Sequence, residues 1–196
     1  MRKVIGFFGV ARSGKSTAAH YAAEYFRKRD IPAYVRSFAG PLKEGLATMG
    51  IHKDTHPDLY RLAAQYMGTE ICREYDSNWW VKQTKHRIDN TPKDGVVLID
   101  DCRFPNEFEY LRSIDADLIF MRGGKRIDLS SSIYNHDSET IAMEYEMFWE
   151  GVQSGVTRGV PLLPEARPDH VVLNHVEMPI MFEHLEEVLQ KIEVRL

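Results

Sequence analysis

Gly9-Val10-Ala11-Arg12-Ser13-Gly14-Lys15-Ser16 sets two glycines, a lysine and a hydroxyl at the spacing G-x-x-x-x-G-K-[ST]. These residue types at this spacing suit phosphate. A glycine turn exposes successive N–H groups, the helix that follows adds the positive end of its dipole, and Lys15 can bridge terminal phosphates. The Ser16 hydroxyl can ligate Mg2+, with Thr17 a second candidate, and ATP or GTP is the ligand implied. Magnesium also needs a carboxylate at the end of a neighbouring strand. Val96-Val97-Leu98-Ile99-Asp100-Asp101 offers two. Spacing alone selects Asp100, and strand alternation sends Asp100 and Asp101 to opposite sides, so one of them is expected to face the nucleotide.

Elements must hold these groups in place. The apolar run Val4-Ile5-Gly6-Phe7-Phe8 reads as a strand, and Lys15 to Arg29 reads as a helix with Ala18, Ala19, Ala22, Ala23 and Phe26 on one side. A second strand is expected at Ala33 to Phe38, and strand–helix–strand at this spacing predicts a right-handed βαβ unit in a parallel sheet. From Pro41 to about Asp89 the pattern is helical. Thr55 and Pro57 look like a helix start, Leu59, Leu62, Ala63, Tyr66 and Met67 form a stripe, Gly68 looks like a stop, and Ser77 looks like a further cap. Strands return at Val96 to Ile99, Asp117 to Met121 and His170 to Leu173, with helices expected at Pro105 to Ser113, Ser138 to Trp149 and Pro179 to Val194. Gly123-Gly124 and the stretch from Gly151 to Pro168 read as lid and loop material.

Composition narrows the class. The 196 residues carry 25 basic and 29 acidic side chains, a formal charge of −4, with 43% hydrophobic residues. That balance fits one globular domain and argues against nucleic acid as partner, since backbone phosphate binding calls for a basic excess. No apolar run reaches the roughly 18–20 residues of a membrane span, and two cysteines without a C-x-x-C pair suit a reducing, cytoplasmic setting. A regulatory GTPase would read guanine through [NT]-K-x-D. Thr84-Lys85-His86-Arg87-Ile88-Asp89 lacks the aspartate at the required place. A large motor ATPase needs more chain than this, which leaves a kinase of a small acceptor.

Asp101-Cys102-Arg103-Phe104-Pro105-Asn106-Glu107 resembles the D-x-R-F-P-N-E string of the bacteriophage deoxynucleoside monophosphate kinases. Further pieces are similar and occur in the same order: Ala11 to Ser16, Phe38-Ala39-Gly40-Pro41-Leu42-Lys43-Glu44, then Arg61, Gln65, Gly68-Thr69-Glu70, Arg73 and Trp80-Val81, then His136-Asp137-Ser138-Glu139. The matches span about the first 140 residues. Gly40 departs from the family's acidic residue, and Gly151 to Pro168 has no counterpart. The resemblance implies an α/β P-loop NTPase fold with a central parallel sheet flanked by helices, a single domain over residues 1–196 with a helical acceptor-binding region at 41–90 and a lid at 122–140. It implies ATP and Mg2+ as cofactors, a deoxynucleoside monophosphate (dNMP) as acceptor, and Asp101 in place of Asp100 at the magnesium. A homodimer stays open.

Transfer to a phosphate oxygen needs no Ser/His/Asp base, only positioning and positive charge. The catalytic set expected is Lys15, Asp101, Arg103 and, from the lid, Arg122 or Arg126. Gly9, Ala11, Arg12, Ser13, Gly14, Lys15, Ser16 and Thr17 form the nucleotide loop; Ser16, Asp100 and Asp101 are the metal candidates. On the acceptor side stand Lys43 and Arg73 for phosphate, Gln65 for a base edge, and Phe38, Trp80, Arg103, Glu107 and His136. Phe38 and Trp80 suit core packing as well as stacking, and His136 suits a cap better than proton transfer. Two other readings compete: a kinase of another small acceptor, on the model of phosphomevalonate or dephospho-coenzyme A kinases, and a non-catalytic ATP-gated binding module.

Overall fold

A computed structural model describes residues 2–123, 139–153, 163–174 and 177–195. Gly124, Arg126 and His136 of the expected lid, and much of the stretch from 151 to 168, lie outside the described residues. The chain divides into two compact units, one formed by residues 1–35 and 92–196 and the other by residues 36–91.

In the first unit, β1 (Lys3–Phe8), β3 (Val96–Cys102), β4 (Asp117–Arg122) and β5 (His170–Leu173) join β2 (Ala33–Arg36) in one parallel sheet of order β2-β3-β1-β4-β5. The central strands are apolar almost throughout because helices cover both faces. Ile5 and Phe7 point to one side, where α1 (Lys15–Arg27) brings Ala18, Ala19, Ala22 and Ala23 and α8 (Met178–Glu193) brings Met181, Leu185, Leu189 and Ile192. Phe8 points to the other, with its ring 5.2 Å from Phe108 of α6 (Pro105–Ser113) and 5.5 Å from Tyr145 of α7 (Thr140–Gln153). The small alanine face of α1 lets that helix lie close to the strands. Rings supply the larger volume on the opposite face.

The connection from β1 runs past β3 to β2, and the connection from β3 runs past β1 to β4. The strand order therefore reverses between β1 and β3, which opens a crevice at their carboxyl ends, the usual ligand position of an open parallel sheet.

The second unit holds α2 (Gly40–Thr48), α3 (Pro57–Gln65), a π-helical turn (Tyr66–Ile71), α4 (Cys72–Tyr75) and α5 (Trp79–Asp89). Three expectations change here. Gly68 does not stop the helix; the chain runs on through the π turn into α4, and the Gly68 carbonyl accepts the Trp80 indole N–H at 2.9 Å. The stripe on α3 is not core, since Leu59, Leu62 and Tyr66 are 49%, 67% and 57% exposed: periodicity specifies an amphipathic helix but not a surface to cover it. The N-cap of α5 is Asn78, one residue after the expected Ser77, and Asp76 accepts the Asn78 N–H at 3.0 Å and the Lys82 ammonium at 2.6 Å.

Candidate functional site

The loop from Gly9 to Gly14 leaves β1 and enters α1 through backbone that only a few residues accept. Gly9 has φ +148°, and a Cβ there would lie 2.4 Å from the Met121 carbonyl oxygen. Gly14 has φ +89°, and a Cβ would lie 2.4 Å from the Asn174 side-chain nitrogen. Both positions require glycine. Between them Arg12 takes a left-handed φ of +65°, a strain of about 1 kcal/mol for a residue with a Cβ. The Ser13 N–H donates to the Val10 carbonyl at 3.1 Å and closes the turn, and Asn174 Nδ2 donates to the Ser13 carbonyl at 2.8 Å from beyond β5. Among the described residues no side chain caps the first turn of α1, and uncapped amides of this kind suit an anion.

Lys15 lies inside this curl, its ammonium donating to the Gly9 carbonyl at 2.7 Å and the Val10 carbonyl at 2.8 Å. Burial lowers its pKa to about 8; the nearby Arg103 guanidinium lowers it too, against Glu139, Asp101 and Asp100, which raise it. Ser16 and Thr17 are exposed on the first turn of α1.

The carboxylates stand at a register irregularity. Gly6 pairs with Ile99 and Phe8 with Cys102, so Phe7 alone is opposed by both Asp100 and Asp101. Strict alternation, from which a single carboxylate on the nucleotide side was expected, does not apply at such a bulge. Asp100 is buried, Asp101 is half-buried, and both act on Lys15, Asp101 the more strongly.

Arg103 follows β3 and is fixed at its backbone by Glu107, whose carboxylate accepts the N–H of Arg103 at 2.8 Å and of Phe104 at 3.1 Å. Glu107 is 1% exposed and closes the capping box of α6. Expected as a substrate contact, Glu107 instead shapes the turn that presents Arg103. The Arg103 guanidinium donates to Glu139, and the other oxygen of Glu139 accepts the Ala11 N–H at 2.6 Å. Arg122 differs from its expected place in a lid: it is the last residue of β4, buried, with Nε 3.7 Å from Glu146 Oε2 on α7. Glu146 also accepts the Gly123 N–H at 2.5 Å.

The loop residues 9–17 thus share one edge of the first unit with Asp100, Asp101 and Arg103. Of the acceptor-side candidates, Arg103 and Glu107 lie in the first unit, and Phe38, Lys43, Gln65, Arg73 and Trp80 lie in the second. Phe38 is buried, Lys43 and Gln65 are exposed, Arg73 is half-buried, and the buried Trp80 has its indole N–H engaged by Gly68, as a core ring does. Glu139, Asn174 and Glu146 had no assigned role in the sequence reading. Their contacts join residues far apart in the chain, and the one local signal was that Glu139 ends the His136-Asp137-Ser138-Glu139 pattern.

The donor set fits magnesium. A hydroxyl on Ser16 and carboxylates on Asp101 and Asp100 supply hard oxygen, and Mg2+ binds through one or two protein oxygens plus substrate phosphates and water. Among the described residues no group of three or more His, Cys, Asp and Glu could form an all-protein metal cage, and no helix is long and apolar enough to cross a membrane.

No family model and no curated protein matches the chain. Among solved structures, Mycobacterium tuberculosis APS kinase CysC in complex with AMPPNP and APS is similar at 16% identity and TM-score 0.50, over 98% of each chain. Chaetomium thermophilum Kti12 in complex with ADP-AlF3 matches at 13% identity and TM-score 0.48, over 95% of this chain and 97% of its own. A shikimate kinase from Bacteroides thetaiotaomicron matches at 10% identity and TM-score 0.47, over 97% and 98%. The likeness to APS kinase shows the fold, an α/β P-loop kinase fold with a five-stranded parallel sheet flanked by helices.

Proposed function

We propose that this chain is an ATP-dependent kinase that transfers the γ-phosphoryl group to a deoxynucleoside monophosphate, giving a dNDP and ADP. The observation that carries the reading is Lys15 curled inside a glycine loop, with Asp101, Asp100 and Arg103 in its electrostatic field at the carboxyl ends of β1 and β3. A binding module needs a loop for ATP. The arginine that the capping box of α6 presents beside that loop serves charge developing during transfer.

The chain's own groups divide the work. The loop amides and the α1 N-terminus bind the phosphates, and Lys15 exchanges its contacts with Gly9 and Val10 for phosphate oxygens. Ser16 with Asp101, or Asp100, would hold Mg2+, which when bound neutralises charge between the phosphates. Arg103 faces the transferred group. The acceptor oxygen is already a nucleophile, so no residue need act as base. Resemblance supports a dNMP as acceptor, with Lys43 and Arg73 on its phosphate and Gln65 on its base edge; a phage source rests on that resemblance too, and a cytoplasmic setting on the cysteine usage. Arg122 is left out of the catalytic set because its side chain is buried at the end of β4, whereas that of Arg103 is partly exposed.

A coupled ADP-release assay across the four common dNMPs, the matching ribonucleotides, and APS and shikimate tests this reading. Release is expected with one or more dNMPs. Release with a non-nucleotide acceptor alone replaces the acceptor class, and ATP binding without release under any acceptor favours the binding module.

A further inference from the structure

Glu139 has no part in the transfer scheme above, yet its side chain is 4% exposed and faces the phosphate loop. One oxygen accepts the Ala11 N–H at 2.6 Å and the other accepts Arg103 Nη1. A single carboxylate therefore joins the crest of the loop after β1 to the arginine after β3. The helix behind it is held to the same edge: Ala142 and Met143 pack against Val10 and Ala11, and Glu146 pairs with Arg122. A buried negative charge beside a phosphate-binding loop opposes the ligand electrostatically, so a residue serving only to pack α7 would do better uncharged. Two oxygens, two loops and one fixed guanidinium give the charge a use.

Resting on the kinase reading, we propose that Glu139 is a positioning residue: it sets the plane of the Arg103 guanidinium for the transferred phosphoryl group and holds the Ala11 amide, so that the loop keeps its curvature. A paired guanidinium loses its rotational freedom before substrate arrives, and preorganisation of this kind lowers the barrier without adding a contact to the substrate. Glu139 then acts through Arg103 and the loop, touching neither ATP nor acceptor.

The test compares Glu139→Gln and Glu139→Asp with the unaltered chain, alone and in an Arg103→Ala background. Gln keeps an acceptor for the Ala11 N–H and loses the charge; Asp keeps the charge and is one methylene too short to span both partners, and it serves if the Gln variant does not fold. Each variant is expected to lower kcat by about tenfold or more while the ATP dissociation constant moves by less than about threefold, and to add less than about twofold once Arg103 is alanine. A loss of the same size in the Arg103→Ala background, or a loss confined to thermal stability, overturns the proposal. One NMR readout of the ligand-free chain needs no turnover: the Ala11 amide resonance should move with Glu139→Gln. Should no acceptor support ADP release, the kinase reading fails; an unchanged Ala11 signal would separately overturn the role given to Glu139.

Discussion

Lys15 is held at a cost that ATP relieves. Its folded value of about 8 lies below the ordinary 10.5, so the unfolded chain binds more protons between those values, and this lysine makes the ligand-free protein gain stability as pH rises through that window. Phosphate oxygens raise the value again. ATP binding is therefore expected to take up a proton above about pH 8 and to weaken as pH rises further, by up to about tenfold per unit. Calorimetry in two buffers of different ionisation heat measures the uptake, and Lys15→Met should abolish it. An affinity independent of pH from about 7 to 9.5 would contradict the role of Lys15. Arg103→Ala should lower kcat by about a hundredfold or more with little change in ATP affinity, and Arg103→Lys should restore only a small part, because an ammonium cannot serve Glu139 and a phosphate through one rigid fork. Steady-state and binding measurements on the two variants separate these effects. Lys15, Ser16 and Arg103 were legible as candidates because their signal is local: a motif of eight residues and another of seven. Glu139 and Asn174 reach the loop across 128 and 161 residues, and no residue spacing encodes such a contact.

β1, α1, β3 and α6 were readable as elements because burial on both faces, an alanine stripe and a proline start leave patterns within a dozen residues. The bulge at Asp100 and Asp101 was not, since it exists only in the pairing of β3 with β1. Spacing chose Asp100, resemblance chose Asp101 by its place in the D-x-R-F-P-N-E string, and alternation, which assumes a regular strand, could not decide between them. The stripe on α3 and the presumed stop at Gly68 failed for a related reason, as a pattern within one helix says nothing of its neighbours. Two buried carboxylates, Glu139 immediately before α7 and Glu146 within it, are each paired with an arginine at a strand end. Glu146→Ala takes a carboxylate away from the buried Arg122 and should cost about 3 kcal/mol in urea unfolding; the double change Arg122→Met with Glu146→Leu should be much milder. Equal losses in the single and double variants would show that the pair does not act as a unit. Arg122→Met with Glu146→Leu should also retain most of the transfer rate, which a catalytic Arg122 would not permit.

Across the whole molecule, a charge of −4 argues against a nucleic-acid backbone as partner, while Lys15 and Arg103 at one edge, among Asp100, Asp101 and Glu139, leave room for a nucleotide with its metal ion. Ligand binding should stabilise the chain by mass action. At about a hundred times its dissociation constant, ATP with Mg2+ contributes about 2.7 kcal/mol, or roughly 5–10 °C in Tm for a chain of this size, and Lys15→Met should lose most of that shift. Scanning calorimetry with and without ATP checks it, and an equal shift in the variant would place the nucleotide elsewhere. The kinase reading itself turns on where the phosphoryl group goes. Incubation of the protein with γ-labelled ATP, Mg2+ and each dNMP, followed by separation of the products, should give a labelled dNDP and one ADP per transfer, with no label moved by Lys15→Met. Label found only in inorganic phosphate, or in no product although ATP is bound, would contradict it.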